Sequence, residues 1–165
     1  MIEGRSLSRF QIATVALCGL VVVLDGFDAQ CIGFLAPAIA EDLSIPLKTF
    51  GPIFAASLIG LMLAAMCVGP MADRVGRKWP AVLSTLTFAL FSLLSARANT
   101  FNGLLILRFL TGLGLGGSMP NAVALTSEYV PRRLQHVFVA MLFTGMPLGA
   151  LIGGLASSKM IPAWG

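Results

Sequence analysis

The chain has 165 residues, 57% hydrophobic and 11% charged, with a formal net charge of +4. A soluble core of this size cannot hide so much apolar surface, which excludes an ordinary soluble domain and points to lipid. The basic excess does not indicate nucleic acid: Lys and Arg sit in short clusters between apolar stretches, with no basic helix face and no interleaved aromatics.

Five stretches approach the roughly 20 apolar residues a bilayer-crossing helix needs, at about residues 12–36, 52–71, 80–96, 104–126 and 137–157. They are apolar all round and rich in glycine, and none alternates polar with apolar residues as a barrel strand does. The fold class is therefore an all-α membrane protein, a single transmembrane domain over residues 1–165 without linkers. Arg5 and Arg9 ahead of the first stretch resemble the start of a secretory signal. That stretch runs on into Asp25 and Asp28, however, and four more follow, so it reads as a retained helix. Ile2-Glu3-Gly4-Arg5 matches a protease-recognition tag, taken here as coincidence. Cys18, Cys31 and Cys67 lie within the apolar stretches, with no CxxC spacing and no nearby histidine. They read as inert thiols, and neither metal nor cofactor is expected.

The longest connection, 37–51, follows the first stretch. The second ends in Gly69-Pro-Met-Ala-Asp73-Arg74-Val-Gly76-Arg77-Lys78. There Gly76 permits a tight turn, Asp73 can pair with Arg77 or meet a helix N-terminus, and the basic residues anchor at headgroups. The fourth stretch holds Arg108, then Gly112, Gly114, Gly116 and Gly117, and the fifth repeats Gly145, Gly149 and Gly153 at every fourth residue. Such glycines let helix backbones approach closely. Static packing is the plain reading, and helices that slide or rock are the alternative. Pro120 and Pro147 are expected to kink their helices.

On one side of the membrane the N-terminus and the connections 73–78 and 128–136 carry Arg5, Arg9, Arg74, Arg77, Lys78, Arg132 and Arg133. The other side carries Lys48, Arg97 and Lys159. The positive-inside rule then puts the N-terminus in the cytoplasm.

Asp25, Asp28 and Arg108 lie inside the apolar stretches, where a charge costs at least about 2.5–3.5 kcal/mol, so each needs a partner or a wet cavity. At about 1.5 Å per residue, Asp28 lies roughly 24 Å up a helix rising from the cytoplasm and Arg108 roughly 6 Å down one descending from outside. In a core of about 30 Å both reach a similar level, in the outer half. Asp25 and Asp28 are one turn apart on one face and can address the same partner. One reading is a structural ion pair, or an arginine snorkelling outward. The other is a proton and anion site in which Arg108 neutralises a substrate carboxylate while an aspartate, the second of two carboxylates for one arginine, takes a proton.

Gly69, Asp73, Arg74, Gly76, Arg77 and Lys78 match the signature loop of the major facilitator superfamily at every position, and the chain resembles that superfamily from about Ser8 onward. Asp25-Gly26-Phe27-Asp28, Gly33-Phe34-Leu35-Ala36-Pro37, the run Leu107 to Gly117 around Arg108, and Met119-Pro120-Asn121 resemble its aromatic acid:proton symporter family. The resemblance implies the N-terminal half of a twelve-helix fold. It also implies uptake of aromatic carboxylates such as hydroxybenzoates with protons across a bacterial inner membrane, driven by the proton gradient. Asp25, Asp28 and Arg108 are then the functional charges. Drug antiporters of the superfamily carry a proline in the fifth helix where this chain has Ala150, which weighs against antiport. Twelve-helix members bind substrate between two halves. A chain ending after about five helices lacks its C-terminal partner half and is expected to be a truncated form, inactive alone.

An enzyme is disfavoured, because His136 is the only histidine and no nucleophile elbow, metal cluster or phosphate loop occurs. A carrier of another metabolite such as a sugar, or a non-transporting helical interaction fragment, are the alternatives.

Overall fold

The computed structural model describes residues 8–164, and in it the apolar stretches are five helices. They are α1 (Arg9–Asp42), α2 (Phe50–Val75), α3 (Lys78–Ser95), α4 (Phe101–Tyr129) and α5 (Gln135–Trp164), with no strand among the described residues. Each is long and apolar enough to cross a membrane. Arg5 and the tag-like residues 2–5 lie outside the described residues.

Three boundaries differ from the sequence expectation. Helix α1 runs through Pro37 to Asp42, so the first connection shrinks to a bend and one 3-10 turn, Leu47–Thr49. A proline removes one helical hydrogen bond, and here the carbonyl it frees belongs to Gly33, four residues back in a helix that continues to Asp42. The signature stretch is mostly helical too. Residues 69–75 belong to α2, and only Gly76, at φ +91°, and Arg77 separate it from α3. Likewise Glu128 and His136 are helical, flanking a short link.

In lipid there is no water to expel from between helices, so packing depends on close contact between backbones. Helix α4 is the most buried element and lies between α2 and α3, while α5 lies along α1. A β-carbon added at Gly112 or Gly116 would strike the carbonyl oxygens of Ser57 or Leu61 on α2, and one at Gly60 would strike that of Phe109. The second pair repeats the arrangement. Gly149 abuts the Val23 carbonyl, Gly153 comes within 3.2 Å of that of Phe27, and Gly26 abuts that of Met146. Contacts that advance by four residues on both helices at once identify both pairs as parallel. Gly145 is looser, 3.3 Å from a Val23 methyl, and Gly69 meets nothing within 4 Å. Outward, Leu17, Leu58, Met62, Leu86, Leu93 and Leu151 are exposed, as a lipid-facing surface requires.

Gly149→Val is therefore expected to lower thermal stability in detergent by at least the ~1–3 kcal/mol of an overpacked core. Gly69→Val, on an open face, should leave the unfolding temperature within about 2 °C, since surface changes fall within about 0.5 kcal/mol. Equal behaviour of the two variants would contradict this packing.

Candidate functional site

Arg108 lies in the second turn of α4, which begins at the N-cap Thr100. Its Nη1 donates to Asp28 Oδ2 of α1 at 2.8 Å, and both side chains are almost fully buried. From α3, Ser92 Oγ donates to the other carboxylate oxygen, Oδ1, at 2.5 Å. Three helices thus meet on one aspartate. Packing fixes the surroundings: Gly26 brings α5 against α1 beside the acidic pair, and Gly112, one turn beyond Arg108, brings α2 against α4.

The two aspartates do not share the arginine. Asp25 is as buried as Asp28, 6% against 8% exposed, yet its carboxylate has no hydrogen bond or ion pair among the described residues. One helical turn sets it about 4.5 Å toward the N-terminal end of α1, which is enough to separate their roles. The arginine itself is incompletely used: Nε is buried and has no partner. The site therefore holds one neutralised carboxylate, one uncompensated carboxylate, and a guanidinium with donor capacity to spare.

The signature residues form a separate cluster at the end of the bundle where α2 meets α3. Arg77 Nη2 lies 3.4 Å from Asp73 Oδ1, and Arg77 Nε lies 3.1 Å from Glu128 Oε1 at the end of α4. Arg77 so ties the α2–α3 junction to α4. These pairs are partly exposed and each is worth at most about 1 kcal/mol. Arg74 and Lys78 make no ion pair among the described residues. Sequence reasoning had missed Glu128 and Ser92. An acid facing the basic connection was a weak signal for the first, and nothing distinguished Ser92 from other membrane-helix serines.

Among known proteins, the family model described as Major Facilitator Superfamily matches residues 18–165. The chain is 49% identical to the 4-hydroxybenzoate transporter PcaK of Pseudomonas putida, over 99% of this chain and 37% of that protein. It is 38% identical to a gallate transporter of Pseudomonas putida, over 99% of this chain and 36% of the relative. It is also 38% identical to a 3-(3-hydroxy-phenyl)propionate transporter of Escherichia coli K12, over 98% and 40%. The chain spans somewhat over a third of the length of these relatives.

Because a buried ion pair becomes an uncompensated charge when one partner is lost, Arg108→Leu should destabilise the chain in detergent by about 3–5 kcal/mol. The double variant Asp28→Leu/Arg108→Leu should recover most of that. A double variant no more stable than the single would contradict a paired site.

Proposed function

This chain belongs to the major facilitator superfamily, and on that premise we propose that it supplies the first five membrane helices of a proton-coupled importer of aromatic carboxylates. Its membrane is then the bacterial inner membrane, with the N-terminus in the cytoplasm and the substrate path closed by a C-terminal half beyond this sequence. The relatives named above transport hydroxybenzoate, gallate and hydroxyphenylpropionate, ring acids that share a carboxylate. Alone, the five helices do not transport.

The observation that carries this reading is the partly used guanidinium. Asp28 occupies Nη1 while Nε stays buried without a partner. A buried arginine N–H left unpaired is unfavourable, so the site favours an anion that completes it. Nε and one N–H of Nη2 lie along one edge of the guanidinium, the side-on face that takes two carboxylate oxygens. Asp25 and Asp28 outnumber the arginine by one negative charge, and an arriving carboxylate adds another. A proton on Asp25, the aspartate without a partner, cancels that addition, so anion and proton enter together. The signature cluster serves the conformational exchange: Arg77 holds α2, α3 and α4 together where the exposed pairs break readily.

A fusion of this chain to the remaining part of the Pseudomonas putida 4-hydroxybenzoate transporter tests the reading. With acid outside, cells are expected to accumulate labelled 4-hydroxybenzoate through the fusion, and a protonophore should abolish accumulation. Arg108→Lys keeps the charge on Asp28 but lacks the side-on edge, so uptake should fall by about tenfold or more at an unchanged membrane level. Asp25→Asn should lose gradient-driven accumulation yet keep exchange of labelled for unlabelled substrate. A folded fusion that takes up no aromatic acid, or an Asp25→Asn variant that still accumulates it, would overturn the proposal.

A further inference from the structure

We infer that Ser92 of α3 is a positioning residue for the substrate carboxylate. By holding one oxygen of Asp28, it keeps that aspartate on a single nitrogen of Arg108 and leaves the Nε edge to the incoming anion. The inference rests on the reading of Arg108 as the partner of the substrate.

A carboxylate close to an arginine ordinarily takes two N–H groups at once, fork to fork. Asp28 does not. Its Oδ2 accepts from Nη1 at 2.8 Å, while its Oδ1 accepts from Ser92 Oγ at 2.5 Å and is thereby turned away from the guanidinium. Nε is left buried and without a partner.

Three of the four other hydroxyls on α3 settle on their own helix, and the fourth, Ser84, lies against Gly117 of α4 with no hydrogen bond among the described residues, so Ser92 alone reaches a charged group. Thr85, Thr87 and Ser95 each donate to the carbonyl four residues back, Ala81, Leu83 and Phe91, at 2.8 Å. That is the usual resting place for a hydroxyl in an apolar helix. Ser92 forgoes it and reaches across to α1. Without the hydroxyl, the Asp28 carboxylate is free to rotate about its last torsion, which is broad for a terminal sp² group, and to lay both oxygens on Arg108. The aspartate then competes with the substrate for the arginine, and affinity falls while the helices stay in place.

The test is uptake kinetics of 4-hydroxybenzoate in the same fusion. Ser92→Ala is expected to raise KM about tenfold, the scale of one hydrogen bond to a charged group, while the maximal rate stays within about twofold. Ser92→Thr, which keeps the hydroxyl, should restore KM to near the parent value. An unchanged KM in Ser92→Ala overturns the inference and leaves the functional reading standing. A fall in membrane level or maximal rate in place of the KM shift shows a structural serine, and also overturns it. A parent fusion that is folded but takes up nothing defeats the functional reading itself, and this inference with it.

Discussion

Backbone approach at glycine is the constraint on which the rest of this structure depends. Lipid tails are as apolar as leucine, so membrane helices do not associate by burying large side chains against each other. The distribution of residues follows: many of the leucines and methionines face outward, and the close contacts run through Gly26, Gly60, Gly112, Gly116 and Gly149 against neighbouring carbonyls. On another side of α4, Gly114 and Gly117 admit the Phe88 backbone and the Ser84 hydroxyl of α3. With glycines on two faces, α4 is gripped from both sides, and this fixes the position of Arg108 relative to Ser92.

The seam between α1 and α4 is built differently. Toward the C-terminal end of α1 it is closed by Ala36, Ala40, Phe50, Ile53 and Leu104, and toward its N-terminal end by Cys18, Val22, Ala122 and Leu142. The acidic residues of α1 and Arg108 lie between these two apolar clusters. Charge placed there is shielded from water on both sides, which strengthens the Asp28–Arg108 attraction and makes any unmatched charge beside it costly. A single proton or anion added at this level thus acts where the α1–α5 pair joins the α2–α3–α4 group.

The parts of this arrangement that were legible in the sequence are those that lipid makes rare or repetitive. Asp28 and Arg108 stand out because charges are scarce in apolar spans, and rise per residue puts them at one level. Gly112, Gly116, Gly149 and Gly153 are visible through their spacing of four. Gly26 and Gly60 do the same work singly, without a repeat to mark them, and their role depends on which helix lies opposite. Ser92 was hidden for a chemical reason, since a serine in an apolar helix satisfies itself on its own backbone unless tertiary structure supplies a better acceptor. The end of α1 was misplaced at Pro37 because a proline usually stops a helix. Here the helix runs through it to Asp42, because in an apolar span one lost hydrogen bond does not outweigh the continued helix. The separation of Asp25 from Asp28 was equally out of reach, because i and i+3 spacing shares a face but does not say which residue meets a partner from another helix.

Helix α4 is held at both ends, by ties of unequal strength. Its C-terminal end is held through Glu128 and Arg77, a partly exposed pair that solvent weakens. Its N-terminal end is held through Arg108 and Asp28, a buried pair whose separation would strand two charges in an apolar interior. The inequality decides where motion can begin. The exposed tie can open and reform at little cost, whereas the buried tie can be modulated only by changing the charges around it. On the proposed function, a carboxylate arriving on the unused edge of Arg108 would do so without breaking the pair: the guanidinium would then serve two anions, and its hold on Asp28 would weaken as its charge is shared. A proton on Asp25 relieves the excess negative charge that would otherwise oppose that arrival. On that proposal, substrate and proton together would loosen a contact that neither loosens alone.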